Sequence, residues 1–522
     1  MCERPVPADD HNGAPPRPHL VVVSNRGPVQ FTRAHDVRVS DRGAGGLVSA
    51  LSSLPALGVS GVWVCSAMTD EDAAVAAENR GESFALPDYA DGKMRVRLVS
   101  HEPGAFASAH HGFSNSLLWF LQHQLWGWGT DPEVGPAGYR AFDDGYRVVN
   151  KTFADAAIDE ASRADGDVVV MIHDYHLYLV GAMVREALPD AMIQHFVHIP
   201  WPPPDAWGAL PRRMVAAILE GLLGCTVVAF QTERYARNFM RTCAEILGTP
   251  VDYSKRTVAV QERQVRISWY PISVDQASIM SQLAAPEVAA ERTAIAAVRR
   301  DKLIVRVDRA DPSKNIVRGF HAYELMLERH PELHGDVSFL ALIQPSRSNL
   351  HVYADYLEKI EQAAEQINDR FGTRQWLPVD LKIAESLPRA LAAFQEFDVL
   401  FVNPVADGLN LVAKEGVLIN DRDGVLVISE PAGVFEEIGS FAIAVNPFDT
   451  LGQADALHAA LTMSRSERHE RASACREVVA RNDLNRWLGE QLRDLTDQRR
   501  PSLSLLRSAI PSRTRSAGRR RP

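Results

Sequence analysis

The sequence predicts an α/β, doubly wound protein with two Rossmann-like domains, and three observations carry that prediction. Short β-branched runs alternate with helical patterns along most of the chain. The runs are nearly continuous apolar stretches, as expected of strands buried on both faces of a parallel sheet. An Ala/Glu/Arg-rich helical segment, Glu287–Arg299, separates one set of strands from a fresh one at Leu303.

Taken in order, residues 1–18 are rich in Pro and polar side chains, lack the apolar core of a signal peptide, and read as a disordered tail. Residues 19–280 form the expected first domain, with strands at Leu20–Ser24, Val168–Ile172, Ile193–Val197 and Val227–Phe230. Helical patterns at Ser114–Gln124 and Met214–Leu223 lie between them. Residues 281–497 form the expected second domain, with strands at Leu303–Val307, Phe339–Ile343, Val399–Val402, Val425–Ser429 and Ala442–Val445. Its helices include Ile316–Arg329 and Val352–Ile367, and a last helical stretch over about 466–497 is expected to pack back near the first domain. Residues 498–522, with Ser, Pro and eight arginines, read as a disordered basic tail.

Composition narrows the function classes. At 522 residues the chain exceeds one ordinary core. Its net charge of −10 argues against nucleic acid as the main partner. No run approaches 18 apolar residues, so no membrane span is expected. Five scattered cysteines show no metal-ligand spacing and suit a reducing cytoplasm. The sequence leaves open whether the chain forms a homo-oligomer.

In open α/β sheets, ligands bind beyond the carboxyl ends of the strands. Here those ends run into Asn25-Arg26-Gly27, His173-Asp174, His198-Ile199-Pro200, Arg309, Arg347 and Asp407. Each alone is an ordinary loop residue. Six at the same edge of two sheets would line one cleft if the edges face each other. Arg309 and Lys314 could neutralise a departing diphosphate, and Asp407 and Glu415 could accept from sugar hydroxyls. Gly43-Ala44-Gly45-Gly46-Leu47 and Asp407-Gly408-Leu409-Asn410-Leu411-Val412 both place glycine before a helical run, where free N–H groups suit phosphate oxygens. No GxGxxG follows a strand and no GxxxxGK[ST] occurs, which disfavours a dehydrogenase and a P-loop kinase. His173 and His176 lack a third ligand nearby, so no metal is assigned.

On these residues the chain resembles the trehalose-6-phosphate synthase family, retaining glycosyltransferases with two facing Rossmann domains (the GT-B fold). The resemblance spans roughly residues 19–497. It rests on Val22-Val-Ser-Asn-Arg26, Gly45-Gly46-Leu47, Phe113-Ser-Asn115 with Leu118-Trp119, Ile172-His-Asp-Tyr-His-Leu177 and His198-Ile-Pro200. It continues through Arg309 with Ser313-Lys314, Ser346-Arg347, Asp407-Gly-x-Asn-Leu-Val-Ala-Lys-Glu415 and Val445-Asn-Pro447.

The resemblance implies transfer of glucose, with retention, from UDP-glucose or GDP-glucose to glucose 6-phosphate, and it implies no cofactor. It assigns the acceptor to Arg26, Trp119, Asp174 and Arg347, with His110 in the acceptor-phosphate pocket. It assigns the donor to Gly45, Gly46, Arg309, Lys314 and the run Gly408, Leu409, Asn410, Leu411, Val412, Ala413, Lys414 and Glu415. Asp407 would hold the donor sugar and His198 would hydrogen-bond it near the reacting carbon. Reaction is expected at Arg309, Lys314, His198 and Asp407, without a side-chain nucleophile.

Three departures stand out. Pro312-Ser313-Lys314-Asn315 replaces a common Tyr-Ser-Lys-Gly, Ala406 replaces an Arg, and His110, beside His111, replaces a tyrosine of the acceptor-phosphate pocket. They leave open a relative with another acceptor: a glucosylglycerol-phosphate synthase, or an enzyme that couples cyclitols through nitrogen. A non-catalytic sugar-phosphate sensor would lose Arg309, Lys314, Asp407 or Glu415; all four are present.

Overall fold

The computed structural model describes residues 19–35, 37–42, 46–51, 60–86, 93–127, 133–164, 166–347 and 350–508. Two large sheets organise them. The first has ten strands, and its parallel centre runs Arg263–Trp269, Val227–Phe230, Met192–Phe196, Val168–His173, His19–Ser24, Gly61–Ser66 and Met94–Val99. Antiparallel edge strands flank it. The second has six parallel strands in the order Val379–Ile383, Val337–Gln344, Lys302–Arg309, Val399–Val402, Val425–Ser429 and Ile443–Val445.

The central strands are buried on both faces, which explains their unbroken apolar runs: Leu20–Val23 and Ile304–Val305 are fully enclosed. Register then fixes where the polar residues emerge. Val23 pairs with Ile172, and Ile172 with His195, so Arg26, Asp174 and His198 leave the sheet at one edge. In the second sheet Arg309 pairs with Gln344, so Arg309 and Arg347 leave together.

Nine of the described strands escaped the sequence reading, among them Arg263–Trp269 of the parallel centre and the three that follow. Met94–Val99 and Val379–Ile383 alternate apolar and polar residues because they lie toward sheet edges, where one face meets helix or solvent. Gly61–Ser66 is fully buried, and its apolar run was simply missed. The helix expected from Ser114 begins earlier, as a π-helix over Ser108–Leu118 followed by Trp119–Gln122.

The halves touch along a seam. Tyr235 of the first donates its hydroxyl to the Asp407 carbonyl of the second at 2.7 Å. The last helix, Leu484–Ser508, crosses back to the first sheet. There Trp487 Nε1 donates to the Tyr270 carbonyl (3.0 Å), Tyr270 donates to Asp494 (2.6 Å), and Gln194 donates to Gln491 (2.9 Å). That helix runs to Ser508, into the stretch read from sequence as a tail; residues 1–18 and 509–522 lie outside the described residues. Among the described residues no helix is long and apolar enough to cross a membrane.

Candidate active site

The strand ends of both sheets open on one cleft. On the second-sheet side, Arg309 ends its strand and its guanidinium carbon lies 5.9 Å from the Trp119 ring centre, across the seam. Arg347 stacks closer, 3.9 Å from the same ring. It donates to the Tyr175 hydroxyl at 3.1 Å and to Tyr353, and faces Asp311 at 3.6 Å. Arg26 comes from the first sheet. Burial lowers its pKa, and the charges of Arg309 and Arg347 lower it further. Three guanidiniums therefore converge from both halves and repel one another, an arrangement that favours a bound anion.

Unpartnered polar atoms surround them. Trp119 Nε1, His110 Nδ1, His176 Nε2 and Asp174 Oδ1 are buried without a hydrogen-bond partner among the described residues. His110 sits on the π-helix between Phe106 (5.4 Å, 8°) and His176 (5.4 Å, 16°). Burial, then His111, Arg347 and Arg26, push its pKa down to about 4, so its ring is neutral near pH 7. Asp174 holds a left-handed backbone, φ 74°, fixed by its N–H donating to the Phe196 carbonyl at 2.8 Å. Burial pushes its carboxyl up to about 6 despite backbone groups of Tyr175 and His198.

The donor-side groups are paired instead. Lys314 Nζ donates to Asp407 Oδ2 at 2.5 Å, and Asn410 Nδ2 donates to the same oxygen at 3.0 Å. Burial opposes charge on both members, yet Asp407 raises the Lys314 pKa and Lys314 lowers that of Asp407, so the pair is ionised. Asn410, with φ 92°, caps the helix Leu411–Ile419 by accepting from the Ala413 N–H at 3.0 Å. The N–H groups of Leu411 and Val412, in the first turn, have no intrahelical acceptor and suit phosphate oxygens. Gly408 is required by contact: a Cβ there would fall 1.8 Å from the His198 carbonyl oxygen of the other half. Leu409 is buried beside it. Burial pushes Glu415 up to about 7.

The structure thus brings Arg26, His110, Trp119, Asp174, Arg309, Lys314, Arg347, Asp407 and Gly408 around one cleft. Three expected donor contacts fall elsewhere. Lys414 is fully buried; its Nζ donates to the Ile272 carbonyl at 2.8 Å and lies 2.6 Å from Glu437 Oε2, an ion contact off hydrogen-bond alignment. The Ala413 N–H is spent on the Asn410 cap. The His198 ring is bonded on both nitrogens within the protein, to His173 at 3.1 Å and Gln231 at 3.0 Å. Gly45 lies outside the described residues, and Gly46 opens the short helix Gly46–Leu51.

Sequence reasoning passed over Tyr175, Asp311, Tyr353 and Gln231 and weighed His176 only as a metal ligand. Tyr175 and His176 lie inside the quoted Ile172–Leu177 run, and Asp311 follows Arg309 by two residues. Gln231 and Tyr353 carry no local signal. A separate cluster, His330, Glu332 and His458, could hold a metal ion at the far end of the helix Ile316–Arg329.

The glycosyltransferase family 20 model matches residues 18–497. The chain is 35% identical over 479 residues to a bifunctional trehalose-6-phosphate synthase/phosphatase of Thermoproteus tenax, covering 90% of this chain and 62% of that protein, so it spans less than two thirds of that relative. It is 30% identical to a validamine 7-phosphate valienyltransferase of Streptomyces hygroscopicus, covering 82% of this chain and 84% of that one. Among solved structures, an α,α-trehalose-phosphate synthase (UDP-forming) from Burkholderia xenovorans in complex with glucose-6-phosphate is similar at a TM-score of 0.77 and 28% identity, covering 92% of this chain and 100% of that one. The chain belongs to glycosyltransferase family 20, and its paired sheets have the GT-B fold.

Proposed function

We propose that this protein is an α,α-trehalose-phosphate synthase, transferring glucose with retention from UDP-glucose to glucose 6-phosphate. The observation that carries this reading is the approach of Arg309 and Arg347 to the Trp119 ring, with Arg26 close enough to feel both charges, beside the Lys314–Asp407 pair. It offers one cationic place for an acceptor phosphate and one for a diphosphate. UDP is taken as the nucleotide because the Burkholderia relative is UDP-forming.

In this reading Arg309, Lys314 and the Leu411 and Val412 N–H groups hold the diphosphate. The bond from glucose C1 to the phosphate oxygen breaks, and a new bond forms on the same face to the acceptor hydroxyl oxygen. The hydroxyl proton passes to the departing phosphate oxygen, and UDP leaves with the bonding pair. Preorganised cations contribute where that negative charge develops. Arg26, Arg347 and Trp119 Nε1 hold the acceptor phosphate, and Asp174 takes an acceptor hydroxyl. Four buried unpaired cysteines (Cys65, Cys225, Cys243 and Cys475) suit the cytoplasm.

A second reading keeps the donor and changes the acceptor to a cyclitol phosphate. His110 in the acceptor pocket and the valienyltransferase relative favour it. The test is a matrix of UDP-, GDP- and ADP-glucose against glucose 6-phosphate, glycerol 3-phosphate and a cyclitol phosphate, with products identified by mass and NMR. Trehalose 6-phosphate as the main product supports the first reading. Turnover confined to another acceptor overturns it.

A further inference from the structure

We propose that Gln231 and Lys414 are positioning residues that clamp the backbone on both sides of Ile272, where the chain leaves the first sheet, and through it hold the His198 turn against the donor-site turn at Gly408. The proposal rests on the transferase reading above.

The hydrogen bonds fix their own direction. The Ile272 N–H can only donate, and it points at Gln231 Oε1 at 2.9 Å. The Gln231 amide nitrogen therefore faces His198 Nδ1 at 3.0 Å, and an amide NH2 can only donate. His198 Nδ1 must accept and carries no proton. Burial keeps the ring neutral, so its proton is on Nε2 and is donated to His173 Nδ1 at 3.1 Å. His173 then carries its own proton on Nε2. His173 and His195 are the ionisable groups facing His198, and burial holds both near 3, so neither supplies a charge.

The next peptide, on the other side of the Ile272 Cα, is held from the second half. The Ile272 carbonyl accepts from Lys414 Nζ, one residue before Glu415 on the helix whose first turn faces the diphosphate. Burial lowers the Lys414 pKa, and Glu437 at 2.6 Å opposes that shift. A long cationic side chain is thus spent on one backbone carbonyl. The resulting chain, Glu437–Lys414–Ile272–Gln231–His198–His173, links the donor helix to the turn whose carbonyl abuts Gly408. A ring engaged at both nitrogens cannot turn to a ligand, so His198 serves by where its backbone stands.

Two measurements test this. In the wild-type protein with 15N-labelled histidine, NMR should report His198 with a bare Nδ1 and a protonated Nε2, unchanged on adding UDP. The opposite tautomer, or one that switches with UDP, overturns the proposal and needs no turnover. Second, Gln231→Glu keeps the acceptor for Ile272 but turns the donor toward His198 into an acceptor, forcing a proton onto Nδ1. Its kcat should fall about tenfold or more, with UDP-glucose affinity by calorimetry within about twofold and a pH limb on kcat that the wild type lacks. Gln231→Asn, which keeps an amide but withdraws it, should lose kcat without that limb. A Gln231→Glu pH profile superimposable on wild type overturns the proposal. Failure of the wild type to use any nucleotide sugar would sink the transferase reading while leaving the tautomer result standing.

Discussion

The two sides of the cleft solve the same problem, holding phosphate, in opposite ways. On the donor side most polar groups meet a partner before any ligand arrives: Lys314 with Asp407, and Asn410 with the Ala413 N–H, while Arg309 enters no ion pair among the described residues. On the acceptor side they do not. Arg26 and Arg347 crowd together beside Arg309, and Trp119 Nε1, His110 Nδ1, His176 Nε2 and Asp174 Oδ1 are buried with no partner among the described residues. An unmade buried hydrogen bond costs roughly 1–3 kcal/mol. The donor side is thus preorganised at little cost, whereas the acceptor side stores strain that a phosphorylated sugar would relieve. Left-handed backbone at Asp174, Arg347 and Asn410 marks where the fold is forced into such positions.

The sharpest way to break this contrast is to unpair the donor side. Lys314→Ala should cut kcat by about two to three powers of ten, the scale for losing a preorganised transition-state donor. It should also destabilise the fold by about 1–3 kcal/mol, because it leaves the largely enclosed Asp407 carboxylate with Asn410 as its remaining side-chain partner. Arg309→Ala, which breaks no ion pair among the described residues, should show a similar rate loss with little change in melting temperature. Equal destabilisation by both would mean that the donor side is not prepaired. Next in size, Arg347→Ala should raise KM for the phosphorylated acceptor by about tenfold to a hundredfold and leave UDP-glucose binding intact. Equal weakening of both ligands in calorimetry would merge the two subsites into one.

How far the contrast was legible in the sequence follows from its physics. The strands Val227–Phe230, Val399–Val402 and Val425–Ser429 and the helix Ile316–Arg329 lie where their apolar patterns place them, because burial on both faces or one leaves a direct trace. Residues at the strand ends were also legible, since an open parallel sheet delivers them to one edge. Pairing was not. Lys414 and the His198 ring look as available in sequence as Lys314 or Arg309, and only the fold shows that Ile272 and Gln231 reach them first. Nor could sequence show that His110 and His176 stack, since they are sixty-six positions apart and meet through a π-helix.

The histidines give a smaller, global test of the acceptor side. His101, His110, His123, His173, His176, His195 and His198 all belong to the first half, and burial holds every one far below 6.5. A group with a lowered folded pKa contributes stability above its unfolded value and loses it as pH falls toward the folded one. Asp174 and Glu415, both raised, act in the opposite sense. Near pH 5, unfolding should therefore take up protons on balance, because these seven histidines outnumber Asp174, Glu415 and the likewise raised Asp308, which release them. Melting temperatures between pH 7 and pH 4.5 check this; a flat profile would mean that these rings are hydrated in solution.

The smallest effect singles out Glu415. Its folded pKa, about 7, exceeds that of a free carboxylate, so the free protein holds that proton until near neutrality and loses stability from this group as pH rises through 7. In the transferase reading a donor hydroxyl reaches Glu415, and it donates to a carboxylate and gains less from the acid form, so donor binding should favour the ionised state. KM for UDP-glucose should rise as pH drops below 7, by at most about tenfold per unit, while KM for the acceptor follows a different curve. Glu415→Gln should flatten the donor curve and leave the acceptor curve as it is. If donor KM in Glu415→Gln still climbs on acidification, the titrating group lies across the cleft, with Asp174 at about 6 the nearest candidate in pKa.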